Sequence, residues 1–306
     1  MVIATGFFDG VHIGHRLVIE QLIDAARSRG DESLVVTFWP HPRTVLQQEA
    51  RNFRLLTSMQ EKVAMLKSLG VGRVEVIRFT KEFGALTTEQ YLKDYLIGKY
   101  GARAIVLGYD NRMGSDAGGA ESVRDTAERL GLDVIMTGKV LSGAGAGVSS
   151  TRIRAEIARG NVSGAAEMLG YDYSLYGVVV SGEQIGSRVL GFPTANMQLY
   201  EPLKLVPGNG VYLVRVNTFG REFAGMCNIG TRPTVREGNA VTIETNIFDF
   251  DEDIYGLDIT VTFLRKIRDE IRFSSFTQLK SQLARDRFYC KSLLQSLPGR
   301  SRQPSL

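Results

Sequence analysis

The chain has 306 residues, 43% hydrophobic and 23% charged, with a formal net charge of +4; at roughly 100 to 200 residues per domain that is a globular protein with about two cores. Basic residues stand at 20 against 17 acidic through residue 155 and at 17 against 16 beyond it, and charge so evenly spread, with no Lys/Arg run, argues against a nucleic-acid partner. No apolar run approaches the ~18 residues of a membrane span, no export signal follows Met1, and Cys227 and Cys290 are too few for a disulfide framework or a zinc pair, so the protein is expected in the cytoplasm with reduced thiols in its cores.

Taken in chain order, VIAT (2–5) predicts a strand, and HRLVIEQLIDAARSRG (15–30), apolar at 18, 19, 22, 23 and 26 and closed by Gly30, predicts a helix. The unit recurs: strand 33–38 with helix 58–69, strand 73–79 with helix 88–99, strand 104–107 with helix 121–130, then strand 132–137. Such alternation predicts a doubly wound parallel sheet, whose ligands lie beyond the carboxyl ends of the strands.

The first strand-to-helix connection, TGFFDGVHIGH (5–15), holds two of the chain's three histidines. At a helix start, His12 and His15 can both donate to one anionic group, and Gly14 leaves room for a base or phosphate to approach the backbone. The same residues also suit an ordinary turn with surface histidines; a zinc site lacks a third ligand, His41 being the only other imidazole. A second phosphate-type stretch, GVSSTRIR (147–154), follows the last strand. It offers Ser149, Ser150 and Thr151 hydroxyls and the Arg152 and Arg154 guanidiniums at a helix start, or simply an N-cap. GAGAG (143–147) misses the dinucleotide spacing and reads as a flexible lead-in.

Near residue 171 the pattern changes. After a helical connector at 151–170, five β-rich runs, YGVVVSG, GVYLVRV, EFAGMCNIG, AVTIETNIF and LDITVTFL, are separated by Gly, Pro, Asn and Asp and predict an antiparallel barrel or sandwich. A closing amphipathic helix is expected at 275–296, and a frayed tail at 298–306. In GEQIGSRVLGFPTAN (182–196), Gly182, Gly186 and Gly191 can turn amides toward phosphate oxygens, while Thr194 and Asn196 can supply oxygens to Mg²⁺; an ordinary Gly/Pro/Asn loop is the plainer alternative. The acid run Asp249, Asp251, Asp253 lacks the glycine and twelfth-position glutamate of a calcium loop, and reads as a solvated turn.

HxGH at His12–His15 together with SSTxxR at Ser149–Arg154 resembles the nucleotidyltransferase superfamily, in which a substrate phosphate attacks the α-phosphorus of ATP. The resemblance implies that His12 and His15 stabilise charge on the transferring and leaving phosphates. Ser149, Thr151 and Arg154 would hold the β and γ groups, and Gly6, Phe7, Gly14 and Ser150 would complete the nucleotide contacts. The PTAN segment, NIGTRPTV (228–235), TIETNIFDFDEDIYG (242–256) and RKIRDEIRF (265–273) resemble riboflavin kinases in the same order. By that likeness Glu244 is the general base, Thr194 and Asn196 hold Mg²⁺, and Gly182, Gly186, Gly191 and Pro193 surround ATP. Arg268, Glu270 and Phe273 would close over the flavin. Both halves together resemble the bacterial bifunctional riboflavin kinase/FMN adenylyltransferase family, the prokaryotic FAD synthetases. In its first-domain flavin loop, GYDNRMG (108–114) stands where the family reads like DFRFG, with Asp110 and Asn111 toward the flavin, Asn111 and Met113 at the family's aromatic places and Tyr109 as a substitute stacking ring.

The implied fold is α/β plus all-β: a doubly wound parallel-sheet domain at 1–155, a helical connector at 156–170, and an antiparallel β-barrel with a closing helix at 171–306. The resemblance implies ATP and Mg²⁺ as cofactors, flavins as substrate and product, and riboflavin, FMN and ATP as partners, with weak self-association and neither nucleic acid nor membrane. The alternative is a riboflavin kinase whose N-terminal domain only binds nucleotide or flavin.

Overall fold

The computed structural model describes residues 1–46, 53–109, 111–116, 118–141, 143, 145, 147–181, 192–234 and 238–296. Two compact units divide the chain, the first ending at Ser150 and the second beginning at Thr151. The expected tail at 298–306 lies outside the described residues.

In the first unit, strands β1 (Val2–Thr5), β2 (Ser33–Trp39), β3 (Arg73–Arg78), β4 (Ala104–Leu107) and β5 (Asp133–Met136) form one parallel sheet in the order β3-β2-β1-β4-β5. Composition explains the order. VIAT and AIVL are buried at every position and SLVVTFW at all but its last, as strands covered on both faces must be, whereas RVEVIR and DVIM carry exposed residues and take the edges. The chain steps from β1 outward to β3, then returns across β1 to β4. The winding thus reverses beside β1, and the crevice that binds ligands in such sheets opens at its carboxyl end.

Helices α1 (Ile13–Arg29), α2 (Pro42–Leu46), α3 (Met59–Ser68), α4 (Lys81–Gly84), α5 (Thr88–Gln90) and α6 (Ala120–Arg129) accompany this sheet. Gly30 ends α1 in the left-handed region at φ 65°, where its N–H caps the Ala26 and Arg27 carbonyls. Ser58 and Glu61 form a reciprocal capping box at the start of α3. The helix expected at 88–99 is present, but beyond Gln90 it winds as a π-helix over Tyr91–Lys99. Its Tyr91 hydroxyl shares a 2.7 Å hydrogen bond with Thr5 at the end of β1.

From Thr151 onward the second unit takes up the rest of α7 (Ser150–Ala158) and α8 (Val162–Leu169), followed by six strands: β6 (Ser174–Val180), β7 (Ala195–Leu199), β8 (Gly210–Thr218), β9 (Arg221–Thr234), β10 (Gly238–Ile247) and β11 (Asp258–Arg268). They close into a barrel in the order β10-β7-β6-β11-β8-β9, which leaves no unpaired edge and decides between the barrel and sandwich readings. The five apolar runs miss β7, because ANMQL alternates weakly and follows a proline-containing stretch that reads as loop. The connector helices pack with the barrel: α8 is buried along Val162, Ala165, Ala166, Met168 and Leu169, and Ser163 donates to the Leu264 carbonyl.

The closing helix α9 (Phe276–Leu294) covers one side of the barrel, with Cys290 packed among Val211, Leu213, Met226, Phe248 and Leu264. Burial pushes the Cys227 and Cys290 thiols up to about 12, consistent with free thiols. The end of β11 is tied to this helix by Arg268. Its guanidinium reaches Asp286 Oδ2 at 2.8 and 2.9 Å, while Gln282 donates to Oδ1 at 2.8 Å. With 16% and 4% of the two side chains exposed, removing one partner strands the other charge. Asp286→Ala should therefore destabilise the second unit by about 3 kcal/mol, read as a lower calorimetric transition for that unit; an unshifted transition would contradict this role.

Candidate functional site

The loop leaving β1 is held by one buried carboxylate. Asp9, 4% exposed, accepts hydrogen bonds from the Leu56 and Thr57 amides at 3.1 and 3.0 Å and from the Thr57 hydroxyl at 3.2 Å. The Gly10 amide donates to that same hydroxyl, and Ser150 Oγ donates to the Asp9 carbonyl at 2.9 Å. This network over-determines a strained backbone, since Phe8, Gly10 and Val11 all have positive φ, at 47°, 84° and 35°. Non-glycine residues there cost about 1–3 kcal/mol each, so the bend is retained only because its neighbours hold it.

The bend delivers the two imidazoles to the start of α1. His12 is the N-cap, and its Nδ1 accepts the His15 amide at 3.2 Å, so its proton resides on Nε2. The rings stack, with centroids 3.6 Å apart and planes at 13°. Gly14 permits this: a Cβ there would lie 3.2 Å from the His12 ring. Its service is to the imidazole, in addition to any ligand. Burial, then His12 and Lys62 nearby, hold the His15 pKa well below its usual 6.5, and its Nδ1 is buried without a hydrogen-bond partner.

Lys62 is a site residue that the sequence reading missed. It is 5% exposed and donates to the Phe7 carbonyl at 2.9 Å. Burial lowers its pKa to about 8, against the opposing pull of Asp9. The available signal was its position: Lys62, Met65 and Leu66 share the buried face of α3 at helical spacing.

Other expected residues fall in different places. The Phe7 ring packs between Phe38, His41 and Phe79 at 5.2, 5.1 and 6.1 Å, which leaves only its backbone toward the loop interior, where Lys62 and Thr37 hold its carbonyl. The Gly6 amide is taken by the Val36 carbonyl. Met113 joins the hydrophobic core, Asn111 keeps a buried Oδ1 without a partner, and Tyr109 is exposed with Lys139 over its ring; Asp110 lies outside the described residues. Ser149 and Ser150 close the first unit, whereas Thr151, exposed, and Arg154, half-buried, follow on α7 in the second.

In the second unit, register assembles a polar row. Glu244 on β10 stands directly opposite Asn196 on β7 and Asn228 on β9, a spacing of about 4.5–5.5 Å between Cβ atoms. Asn246, two residues on and hence on the same face, donates to the Pro193 carbonyl at 2.7 Å and fixes the PTAN segment against β10. Asn228 and Asn246 were not singled out from sequence; alternation about Glu244 was the signal for Asn246, and pairing, which sequence does not display, for Asn228.

On the opposite face of β7 and β10 from this row, Val179, Ala195, Thr245 and Ile247 line a cavity of about 360 Å³ together with Pro193, Thr194 and the 250–255 turn, a size suited to a small molecule. The acid turn is exposed at Asp249, Asp251, Glu252 and Asp253, as expected of a solvated turn. Asp249, at φ 55°, binds Arg287 and Lys291 of α9, while Asp251, Glu252 and Asp253 line the cavity. Arg268 is engaged with Asp286, exposed Glu270 accepts from Asn209 at 2.9 Å, and Phe273 is half-buried. Gly182, Gly186 and Gly191 lie outside the described residues.

Among the described residues no group of three His, Cys, Asp or Glu side chains could cage a metal. Mg²⁺ carried on a triphosphate keeps phosphate and water oxygens and needs only one or two from protein. The hydroxyl of Thr194 and the amide oxygen of Asn196, opposite the Glu244 carboxylate, are hard oxygen donors of that kind.

Family profiles match the chain twice, FAD synthetase over residues 1–152 and riboflavin kinase over residues 169–294. Relatives described as bifunctional riboflavin kinase/FMN adenylyltransferase align along nearly the whole chain. The Listeria monocytogenes protein is 35% identical over 287 residues, 93% of this chain and 90% of the relative. The Bacillus subtilis protein is 33% identical over 290 residues, 94% and 90%, and that of Escherichia coli K12 is 36% identical over 287 residues, 93% and 90%. A crystal structure of a macrolide-efflux protein from Streptococcus pneumoniae superposes with a TM-score of 0.87 at 34% identity, covering 95% of this chain and 93% of that one. Among the described residues no helix is long and apolar enough to cross a membrane.

The buried imidazole has a stability signature. Unfolded, His15 takes up a proton near pH 6.5; folded, it stays neutral to lower pH. Unfolding then binds a proton in that window, so stability falls as the solution is acidified below about 6.5. Urea midpoints followed by the single tryptophan, Trp39 in β2, should drop from pH 7 to pH 5, and His15→Gln should flatten the drop; equal slopes in both proteins would contradict it.

Proposed function

The chain belongs to the bifunctional riboflavin kinase/FMN adenylyltransferase family, and from that premise we propose which residues carry each of its two reactions. The enzyme phosphorylates riboflavin to FMN with ATP, then adenylylates FMN to FAD and releases pyrophosphate. Matches to both family profiles disfavour an N-terminal domain that only binds.

In the first reaction the ribityl 5′-hydroxyl attacks the γ-phosphorus; the new O–P bond forms as the bridge to the β-phosphate breaks, ADP leaves, and Glu244 takes the hydroxyl proton. The observation that supports this is the register of Glu244 against Asn196, two residues from Thr194. Thr194 and Asn196 would hold Mg²⁺, which neutralises charge on the phosphates when bound. The cavity on the other face of these strands, with Pro193 and Thr194 in its wall, takes part of the nucleotide. Gly182, Gly186 and Gly191 supply phosphate contacts, and Glu270 and Phe273 close over the flavin. Arg268 acts at one remove, by fixing the end of β11 to α9 through Asp286.

In the second reaction an FMN phosphate oxygen attacks the α-phosphorus of another ATP and pyrophosphate departs. Positioning and charge stabilisation do most of this chemistry. His12 Nε2–H and the His15 imidazole donate to phosphate oxygens at the end of β1. Gly6, Phe7 and Gly14 shape the loop, Ser149, Ser150, Thr151 and Arg154 hold the β and γ groups, and Asp110 and Asn111 meet the flavin. We assign residues 1–155 to this reaction, 156–170 to the connector and 171–306 to the kinase, in a cytoplasmic enzyme.

With riboflavin, ATP and Mg²⁺, Glu244→Ala should form no FMN yet convert supplied FMN to FAD; His15→Ala should form FMN and stop there, both read by chromatography. Equal impairment of both steps by both substitutions would refute one reaction per site.

A further inference from the structure

A lysine is an expensive residue to bury, and Lys62 is buried beside the imidazole pair with its pKa lowered to about 8. Its ammonium is aimed: it donates to the Phe7 carbonyl, which also accepts from the Thr37 hydroxyl at 3.3 Å. Two donors thus grip the chain immediately before the strained residues Phe8 and Val11. Asp9, two residues after that carbonyl, is held by Leu56 and Thr57, just ahead of the helix that carries Lys62. The charged and titratable groups around it are Asp9 from the loop, His12 and His15 at the start of α1, Arg16 next to His15 with its Nε on the Val11 carbonyl, and Glu61 beside it on α3, bonded to the Ser58 amide.

We propose that Lys62 is a positioning residue for adenylyl transfer, its ammonium fixing the Phe7 carbonyl and thereby the bend that presents His12 and His15. A neutral His15 stacked 3.6 Å from His12 avoids a cation pair and leaves both rings as N–H donors. An aliphatic side chain of the same length would fill the space but supply neither the hydrogen bond to the Phe7 carbonyl nor the positive charge that adds to burial and His12 in disfavouring a proton on His15. This rests on the imidazole pocket being the adenylyl-transfer site, which His15→Ala tests separately; if that variant makes FAD at the parental rate, that reading fails whatever Lys62 does.

The test uses the full-length enzyme. With three histidines in the chain, ¹⁵N-imidazole shifts follow His15 individually. Lys62→Met should slow FAD formation from FMN by about tenfold or more in kcat, raise the pH at which His15 takes up its proton, and leave FMN formation from riboflavin unchanged. Lys62→Arg, which retains the charge, should titrate His15 where the parent does. The proposal is overturned if Lys62→Met makes FAD within about twofold of the parental rate, or is slow while His15 titrates at its parental pH. It is equally overturned if Lys62→Arg raises the His15 titration, a comparison that decides alone should Lys62→Met not fold.

Discussion

A single buried carboxylate underlies the first catalytic unit. Asp9 is four residues past the end of β1, and the donors it satisfies come from Leu56 and Thr57, some 47 residues away in sequence. Several amide and hydroxyl donors offset the cost of holding a carboxyl group out of water. Anchored there, the chain tolerates positive φ at Phe8 and Val11 and turns abruptly into α1. Without the anchor these residues would relax, and the histidines, Lys62 and the helix start would lose their common geometry. Strain at the end of the central strand, at the winding reversal of the sheet, is thus stored where ligand is to be met and offset by bonds one shell away.

The kinase unit reaches its geometry by a different constraint, closure. A barrel has no free edge, so each strand's register is set by both neighbours at once. Glu244 cannot slip relative to Asn196 without also slipping relative to Asn228, and a one-residue slip would turn the row to the opposite face. Asn246 extends this to the segment before β7 by holding the Pro193 carbonyl. On the far side of the same turn, Asp249 joins the cavity wall to Arg287 and Lys291 of α9, and Arg268 joins β11 to Asp286 of the same helix. The closing helix is therefore fastened at both ends of the β10–β11 region by charge as well as by Cys290 and its apolar neighbours.

Much of this was legible in the sequence for a physical reason: strands buried on both faces are written as continuous apolar runs, and VIAT, SLVVTF and AIVL announce a parallel sheet and its centre. HxGH and SSTxxR are local patterns, visible without a fold. What was not legible depends on contacts distant in sequence. Strand β7 has little periodicity and owes its pairing to β6 and β10. The burial of Lys62 follows from α3 lying against the loop, and the engagement of Arg268 from α9 returning to the barrel. Phe7 and Gly14 were legible as residues of the loop but not in role, since an aromatic cluster claims one ring and the His12 ring claims the space beside the other.

Two acceptor oxygens, a ribityl hydroxyl and an FMN phosphate, are directed at different phosphorus atoms of the same kind of donor, with a carboxylate needed in one case and imidazoles in the other. A hydroxyl must lose a proton to become a phosphate ester, so a base is required; an FMN phosphate is already anionic, so neutral N–H donors suffice. The separation can be tested by mixing full-length Glu244→Ala and His15→Ala proteins with riboflavin, ATP and Mg²⁺ and measuring FAD. Neither alone should form FAD, and the mixture should, because FMN released by one is consumed by the other; FAD from either variant alone, or none from the mixture, would contradict two independent sites on one chain.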